Sequence, residues 1–301
     1  QLEPAGRDLL GEQIEALHRE GIRAPIYTTV VWEENVADRF PQWRQMAKDG
    51  HFAGLGEPGP DGKPGHVGMW RFNNPLDPGY QDYIEAHLRE ILARYGGEVD
   101  GFFLYILFFA PDACWSEASM KFRAKLGLLG DDRATFERFQ GAAQKAFAAK
   151  FSRIIRGAHP RATIFYNAQN DASMTPGVGP RARAASQTHC EIESLPSGFW
   201  GYFHFPRMAR AQSTWGKPWL GMTGRFQKMW GDFGGIKPQQ ALEFECFRAQ
   251  ALGGGNSIGD QLPPRGELDA GAYDLIGAVY AQCEEAEPFY ESSGFAAPRA
   301  G

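Results

Sequence analysis

Glu191 and Glu193 stand two residues apart in His189-Cys190-Glu191-Ile192-Glu193-Ser194-Leu195-Pro196. On an extended strand that spacing turns both carboxyl groups to one face. Two acids directed into an apolar interior lose their charge or find partners. Glu193, nearer the end of the run, is the better placed to meet a ligand. Glu191 is expected to be held by an Arg or by the neighbouring strand, and an interior salt bridge is the plainer account of the pair. Asp260, in Ser257-Ile258-Gly259-Asp260-Gln261-Leu262, is the second candidate acid. Gly259 before it permits close backbone approach, although an aspartate capping its own turn reads the same way. Two carboxyl groups flanking a sugar are the equipment of glycoside hydrolysis, about 5–5.5 Å apart in retaining enzymes and farther apart in inverting ones. Glu193 and Asp260 have that chemistry, with the roles of acid and of base or nucleophile left open.

Other polar and aromatic residues collect at comparable points of the chain. Arg225 follows an apolar run in Gly221-Met222-Thr223-Gly224-Arg225-Phe226, where a fixed cation could bind a carboxylate or sugar hydroxyls. Trp230 and Asp232 share the next loop with three glycines, a composition suited to a pocket wall. Trp32, Trp115, Trp200 and Tyr202 could each stack on a sugar face, with core packing the competing account of each. His204, among aromatic neighbours, could bind a ligand or be a satisfied structural residue. Glu33, Asn73, Asn167, Glu191 and Gln261 add the hydrogen-bonding groups that a polar, sugar-like ligand needs. No Gly-x-Ser-x-Gly elbow and no P-loop is present, which disfavours serine-hydrolase and nucleotide chemistry.

Elements able to position these residues are visible along the chain. Short apolar runs at Ala24–Val31, Gly101–Phe108, Thr163–Asn167, Cys190–Glu193, Trp219–Met222 and Asn256–Asp260 each end in polar or Gly/Pro-rich residues. Amphipathic stretches at Arg7–Glu20, Tyr80–Tyr95, Ala134–Ile155, Gln239–Leu252 and Ala272–Tyr290 alternate with them. Near-continuous apolar strands with helices between them imply a parallel sheet covered on both faces. The later strand starts are spaced close to one βα unit of roughly 30 residues. The reading is therefore a (β/α)8 TIM-type barrel forming one domain over 1–301, with its site at the strand C-terminal ends. A Rossmann sheet is the rival, but no Gly-x-Gly-x-x-Gly follows a strand. Six strands are convincing, so closure needs two more. The reading leans to a chain lacking its first one or two βα units, the alternative being weak strands within 52–72 or 176–186.

Composition bounds the rest. The 301 residues are 43% apolar and 22% charged, ordinary for a globular chain, and the net charge of −5 gives no nucleic-acid surface. The longest apolar run, Gly101–Ala110, is about half of the ~20 residues that span a bilayer. The four cysteines form no CxxC or CxxH cluster, so buried free thiols are expected and no metal site is. The start Gln-Leu-Glu-Pro carries no apolar leader, and a cytoplasmic location is expected.

Several segments together resemble a known family. These are Gly21-Ile22-Arg23 to Trp32, Val99-Asp100-Gly101-Phe102-Phe103, Glu191 to Gly198 with Trp200-Gly201-Tyr202, Ser257 to Leu262, and above all Gly221–Phe226 with Trp230–Gly235. They resemble the α-L-fucosidase-like TIM-barrel glycoside hydrolases of family 151, the hypothetical glycosyl hydrolase 6 type. The resemblance implies a barrel that hydrolyses a terminal sugar, with fucosides the best-attested substrates. It also implies a flavodoxin-like, trimerisation-type domain after the barrel, which is expected to be absent here. One position departs. Relatives often read Asp-Gly-(apolar)-Phe-(apolar)-Asp-Ile, the second Asp being the natural nucleophile candidate, whereas Tyr105 stands there in Asp100-Gly101-Phe102-Phe103-Leu104-Tyr105-Ile106. Three readings follow: an inactive chain, catalysis by Glu193 and Asp260, or a Tyr105 activated by a neighbouring carboxylate. The expectation is a glycoside hydrolase acting on a small or oligomeric sugar, without cofactor, nucleic-acid or membrane partner and with a homo-oligomer left open. A catalytically inactive carbohydrate-binding barrel is the alternative.

Overall fold

The computed structural model describes residues 6–55, 70–168, 182, 185–263 and 265–292. They form two compact units, 1–188 and 189–301.

In the first unit, β1 (Pro25–Thr29), β4 (Gly101–Tyr105) and β5 (Thr163–Tyr166) make a parallel sheet in the order β1-β4-β5. Its register pairs Ile26 with Phe102 and Thr29 with Tyr105. Every second residue faces the helices, so Ile26, Phe102, Leu104, Ile164 and Tyr166 form a buried layer. Against it pack α3 (Pro78–Tyr95), through Tyr80, Ile84, Leu88 and Ile91, and α5 (Arg133–Ala158), through Phe147, Phe151 and Ile155. Both helices start where the side-chain chemistry dictates. Asp77 accepts from the Tyr80 amide with Pro78 at the first helical position, and Asp132 accepts from the Thr135 amide. Short helices α1 (Leu9–Arg19), α2 (Glu34–Arg39) and α4 (Glu117–Lys125) complete the layer. The free edge of β5 is closed by side chains. Thr188 Oγ1 accepts from the Ile164 amide at 2.9 Å and Gln187 Oε1 from the Tyr166 amide at 3.1 Å. These contacts satisfy buried donors that a further strand would otherwise have to meet.

In the second unit, β6 (Cys190–Glu193), β7 (Trp219–Gly224) and β8 (Gly255–Gly259) make another parallel sheet, in the order β6-β7-β8. Helix α6 (His204–Gln212) follows β6, α7 (Gln239–Ala251) follows β7 and α8 (Ala270–Ser292) follows β8. Ile258 packs against the cluster of Leu242 and Cys246 from α7 with Val279 and Cys283 from α8. All four cysteines are buried and reduced. Burial pushes the Cys190 and Cys246 thiols up to about 12, the second aided by the neighbouring Cys283.

The six expected strands are therefore present and parallel. Within 52–72 the structure adds β2 (Gly54–Leu55) and β3 (Trp70–Arg71), but they pair antiparallel with each other and extend neither parallel sheet. Of 176–186, the other stretch in which a weak strand was sought, residues 176–181 and 183–184 lie outside the described residues, as do Gln169-Asn170-Asp171. No helix among the described residues is long and apolar enough to cross a membrane.

Candidate active site

The register of the second sheet sorts its side chains. Glu191 pairs with Leu220, Glu193 with Met222, Met222 with Ser257, and Gly224 with Gly259, so these residues share one face. Ile192, Thr223 and Ile258 point to the other, towards the helices. Both glutamates thus lie on the face opposite the helix layer, as their spacing predicts. Among the described residues His189 holds Glu191, Nε2 to Oε1 at 2.9 Å. Trp230 Nε1 donates to Glu193 Oε1 at 2.7 Å.

Two glycines make room for that indole. A Cβ on Gly259 would lie 2.4 Å from Trp230 Cη2 and Cζ3, and one on Gly224 would lie 3.0 Å from Cζ3. The ring therefore rests on the paired ends of β7 and β8, with its N–H edge on Glu193. Immediately beyond these glycines stand Arg225 and Asp260. Arg225 Nε donates to Asp260 Oδ1 at 2.8 Å, with side chains only 2% and 10% exposed. The guanidinium lies 4.2 Å from the Phe226 ring centroid, and Nη1 donates to the Gly235 carbonyl at 3.3 Å. Asp260 Oδ1 also accepts from the Gln261 amide, while its buried Oδ2 has no hydrogen-bond partner among the described residues. Burial and the Asp260 charge push the Tyr273 phenol up, with Arg225 opposing. Gln261 reaches the Gly231 backbone, and the loop bends back at Asp232, whose carbonyl accepts from the Gly235 amide.

The strand ends of this unit therefore gather Glu193, Trp230, Arg225, Asp260 and Gln261, with Asp232 in the adjoining loop. Arg225 and Asp260, both candidates to meet a ligand, are each other's partners. His204 and Tyr202 belong elsewhere. His204 is buried, with Nδ1 3.1 Å from Ser194 Oγ and its ring 5.8 Å from Trp200. Tyr202, edge-on to Phe244, lines a small pocket with Phe205, Thr223, Glu245 and Cys246, on the helix side of the sheet.

Residues of the first unit that the sequence singled out fall into separate groups. Trp32 stacks on Trp70 at 4.5 Å and meets Tyr105 edge-on at 5.2 Å, and Tyr105 tilts over Tyr27. Tyr105 is thus one member of an aromatic cluster at the end of β4. Asn73 is fully buried, and its Nδ2 donates to the Val31 and Glu33 carbonyls, bracing the chain after β1. Burial raises the Glu33 carboxyl pKa, and the nearby His87 opposes the shift. Asn167 is buried, and its Oδ1 accepts from the Ala168 amide at 2.5 Å. Trp115 has the Arg123 guanidinium 4.4 Å and the Lys48 ammonium 5.2 Å from its ring centroid. Those cations occupy the aromatic surface that sugar stacking would use.

One polar group was missed. Lys237 Nζ donates to Glu245 Oε2 at 2.5 Å and to Thr223 Oγ1 at 2.9 Å, with the two charged side chains 1% and 6% exposed. A visible signal pointed to it. Glu245 interrupts the Leu242, Cys246, Ala249 stripe at helical spacing, where a lone acid needs a partner. Among the described residues no group of three or more His, Cys, Asp or Glu side chains is arranged to hold a metal.

With this geometry in place, comparison with known proteins is decisive for the resemblance. Residues 1–106 match the family described as hypothetical glycosyl hydrolase 6. Alpha-L-fucosidase isoenzyme 2 from Paenibacillus thiaminolyticus superposes with a TM-score of 0.80 at 34% identity, over 94% of this chain and 40% of that one. The likeness to hypothetical glycosyl hydrolase 6 and to this α-L-fucosidase agrees with the resemblance carried by the sequence motifs. A GH42 β-galactosidase from G. stearothermophilus matches at TM-score 0.69 and 11% identity, over 96% of this chain and 49% of that one. The β-galactosidase from Marinomonas ef1 matches at 0.66 and 12%, over 99% and 55%. At such identity these two galactosidases share the fold alone. The chain spans about 40–55% of the length of the structures it matches. No protein of curated function matches it in sequence.

Proposed function

We propose that the chain is the sugar-cleaving part of an α-L-fucosidase-like glycoside hydrolase, built on a (β/α)8-type barrel to which the six parallel strands belong. The observation that carries this reading is the 34% identity to an α-L-fucosidase along 94% of the chain. The residues at the strand ends have the matching chemistry. Glu193, anchored through one oxygen by Trp230, serves as the acid that protonates the glycosidic oxygen as the bond to the anomeric carbon breaks. Asp260, oriented by Arg225, is the second carboxylate of the strand-end group, and its negative charge favours the oxocarbenium-like transition state. Water then adds to the anomeric carbon and passes a proton back to Glu193, releasing the free sugar. The test is hydrolysis of a panel of aryl glycosides, α-L-fucoside first. Turnover by this chain that Glu193→Gln abolishes, with the melting temperature unchanged, is the expected result. An active Glu193→Gln removes Glu193 from the mechanism.

A second reading rests on Tyr105, a phenol at the end of β4 packed into an aromatic cluster. In that reading the chain binds a sugar without cleaving it. It predicts no turnover by the chain itself, turnover in Tyr105→Asp, and sugar binding by both.

A further inference from the structure

The sequence presents Trp230 as part of a pocket wall beside a polar ligand. The geometry points to a different role: we infer that Trp230 is a positioning residue, held on a two-glycine seat so that its indole N–H orients the Glu193 carboxyl group. This rests on the proposed hydrolase reading for its catalytic consequence, but not for the contact itself. Three observations carry it.

First, the indole N–H lies 2.7 Å from Glu193 Oε1, a well-formed hydrogen bond to one oxygen of the carboxyl group. Second, the seat is specific. Gly224 and Gly259 are register partners at the ends of adjacent strands, and a side chain on Gly259 would coincide with the indole's six-membered ring. Neither glycine is needed for a left-handed turn, since neither has a positive φ. Their common purpose is the space that the ring fills. Third, the ring is fixed from a further side, with Phe226 meeting it edge-on at 6.2 Å and 80°. A side chain confined in this way holds its donor in place before any ligand arrives, and so directs Glu193 without reorganisation during the reaction. The other Glu193-like acid of the strand, Glu191, is held by a histidine two residues away. The strand thus gives its two carboxylates different partners, an imidazole for Glu191 and an indole for Glu193.

Two measurements test the assignment. In the first, the Trp230 indole N–H resonance is identified by its loss in Trp230→Phe, and its hydrogen exchange is followed in the wild type and in Glu193→Ala. Slow exchange in the wild type that becomes at least tenfold faster in Glu193→Ala is expected, and equal rates overturn the contact. In the second, turnover of 4-nitrophenyl α-L-fucoside is compared in the wild type, Trp230→Phe and Gly259→Ala. Loss of this positioning hydrogen bond is expected to lower kcat about tenfold or more in both variants, with KM within about twofold. A raised KM with unchanged kcat in Trp230→Phe overturns positioning in favour of sugar stacking. Should the wild type not cleave this or any other aryl glycoside, the hydrolase reading fails on its own, and the exchange measurement still decides whether the indole holds Glu193.

Discussion

Removing the Asp260 carboxylate separates structural from chemical roles at the strand ends. In Asp260→Ala the Arg225 guanidinium, 2% exposed, keeps among the described residues the Gly235 carbonyl at 3.3 Å and the rings of Phe226 and Phe233. The lost attraction is about 4 kcal/mol for unit charges some 4 Å apart at an effective dielectric constant near 20. The arginine remains desolvated, so little of that is returned by hydration. A net destabilisation of about 3–5 kcal/mol is expected, as for other buried pairs broken on one side. Asp260→Asn, which keeps an acceptor for the guanidinium but not the charge, is expected to lose less. The double variant Arg225→Met/Asp260→Leu is expected to recover much of the loss, because no uncompensated charge is left. Urea unfolding followed by tryptophan fluorescence measures all three, with sugar cleavage assayed in parallel. If Asp260→Ala unfolds within about 0.5 kcal/mol of the wild type, the ion pair does not carry the structural role argued here.

Further expectations follow from other parts of the molecule. Lys237→Met strands the Glu245 carboxylate beneath α7 and should cost about 3–5 kcal/mol in urea unfolding, with Lys237→Met/Glu245→Leu closer to the wild type. The Cys190 and Cys246 thiols, raised to about 12 when folded against about 8.5 when unfolded, bind more protons in the native chain between those values. Their contribution is complete below about pH 8.5 and shrinks as pH rises towards 12, by at most about 1.4 kcal/mol per thiol per pH unit. A urea midpoint that falls between pH 8 and 10, and falls less in Cys190→Ala/Cys246→Ala, is the expected observation. Iodoacetamide at pH 8 should leave all four buried thiols of the native chain largely unmodified and alkylate all four in urea. Ser116→Ala removes the cap of α4 and a 2.7 Å hydrogen bond from Asn74, and should lower stability by about 1 kcal/mol or more on thermal unfolding.

The strands and long helices were legible because each carries its own periodicity, strong enough to place Cys190–Glu193 and to within a few residues Pro78–Tyr95 and Arg133–Ala158. The elements that escaped were those whose pattern is short or masked. Helix α6 opens through Tyr202-Phe203-His204-Phe205-Pro206, where aromatic residues on every side hide the helical stripe. The β2–β3 pair contributes two residues from each strand, too few for an alternation to register. For the site, residue types were readable and partnerships were not. Arg225 and Asp260 are 35 positions apart, and only the pairing of β7 with β8 brings them to 2.8 Å. The Glu193–Trp230 contact crosses 37 positions because β6 pairs with β7. His189, just before β6 and two residues from Glu191, is the exception, because that contact is local in sequence.

The seat beneath Trp230 also bears on how this chain can change over generations. Positions 224, 230 and 259 form one mechanical unit, so a methyl group gained at 259 is tolerated only by a lineage that has already given up the indole. Substitutions at these three places should be inherited together, and a relative carrying alanine at the equivalent of Gly259 should have a smaller residue where Trp230 stands and another donor for its strand-end glutamate.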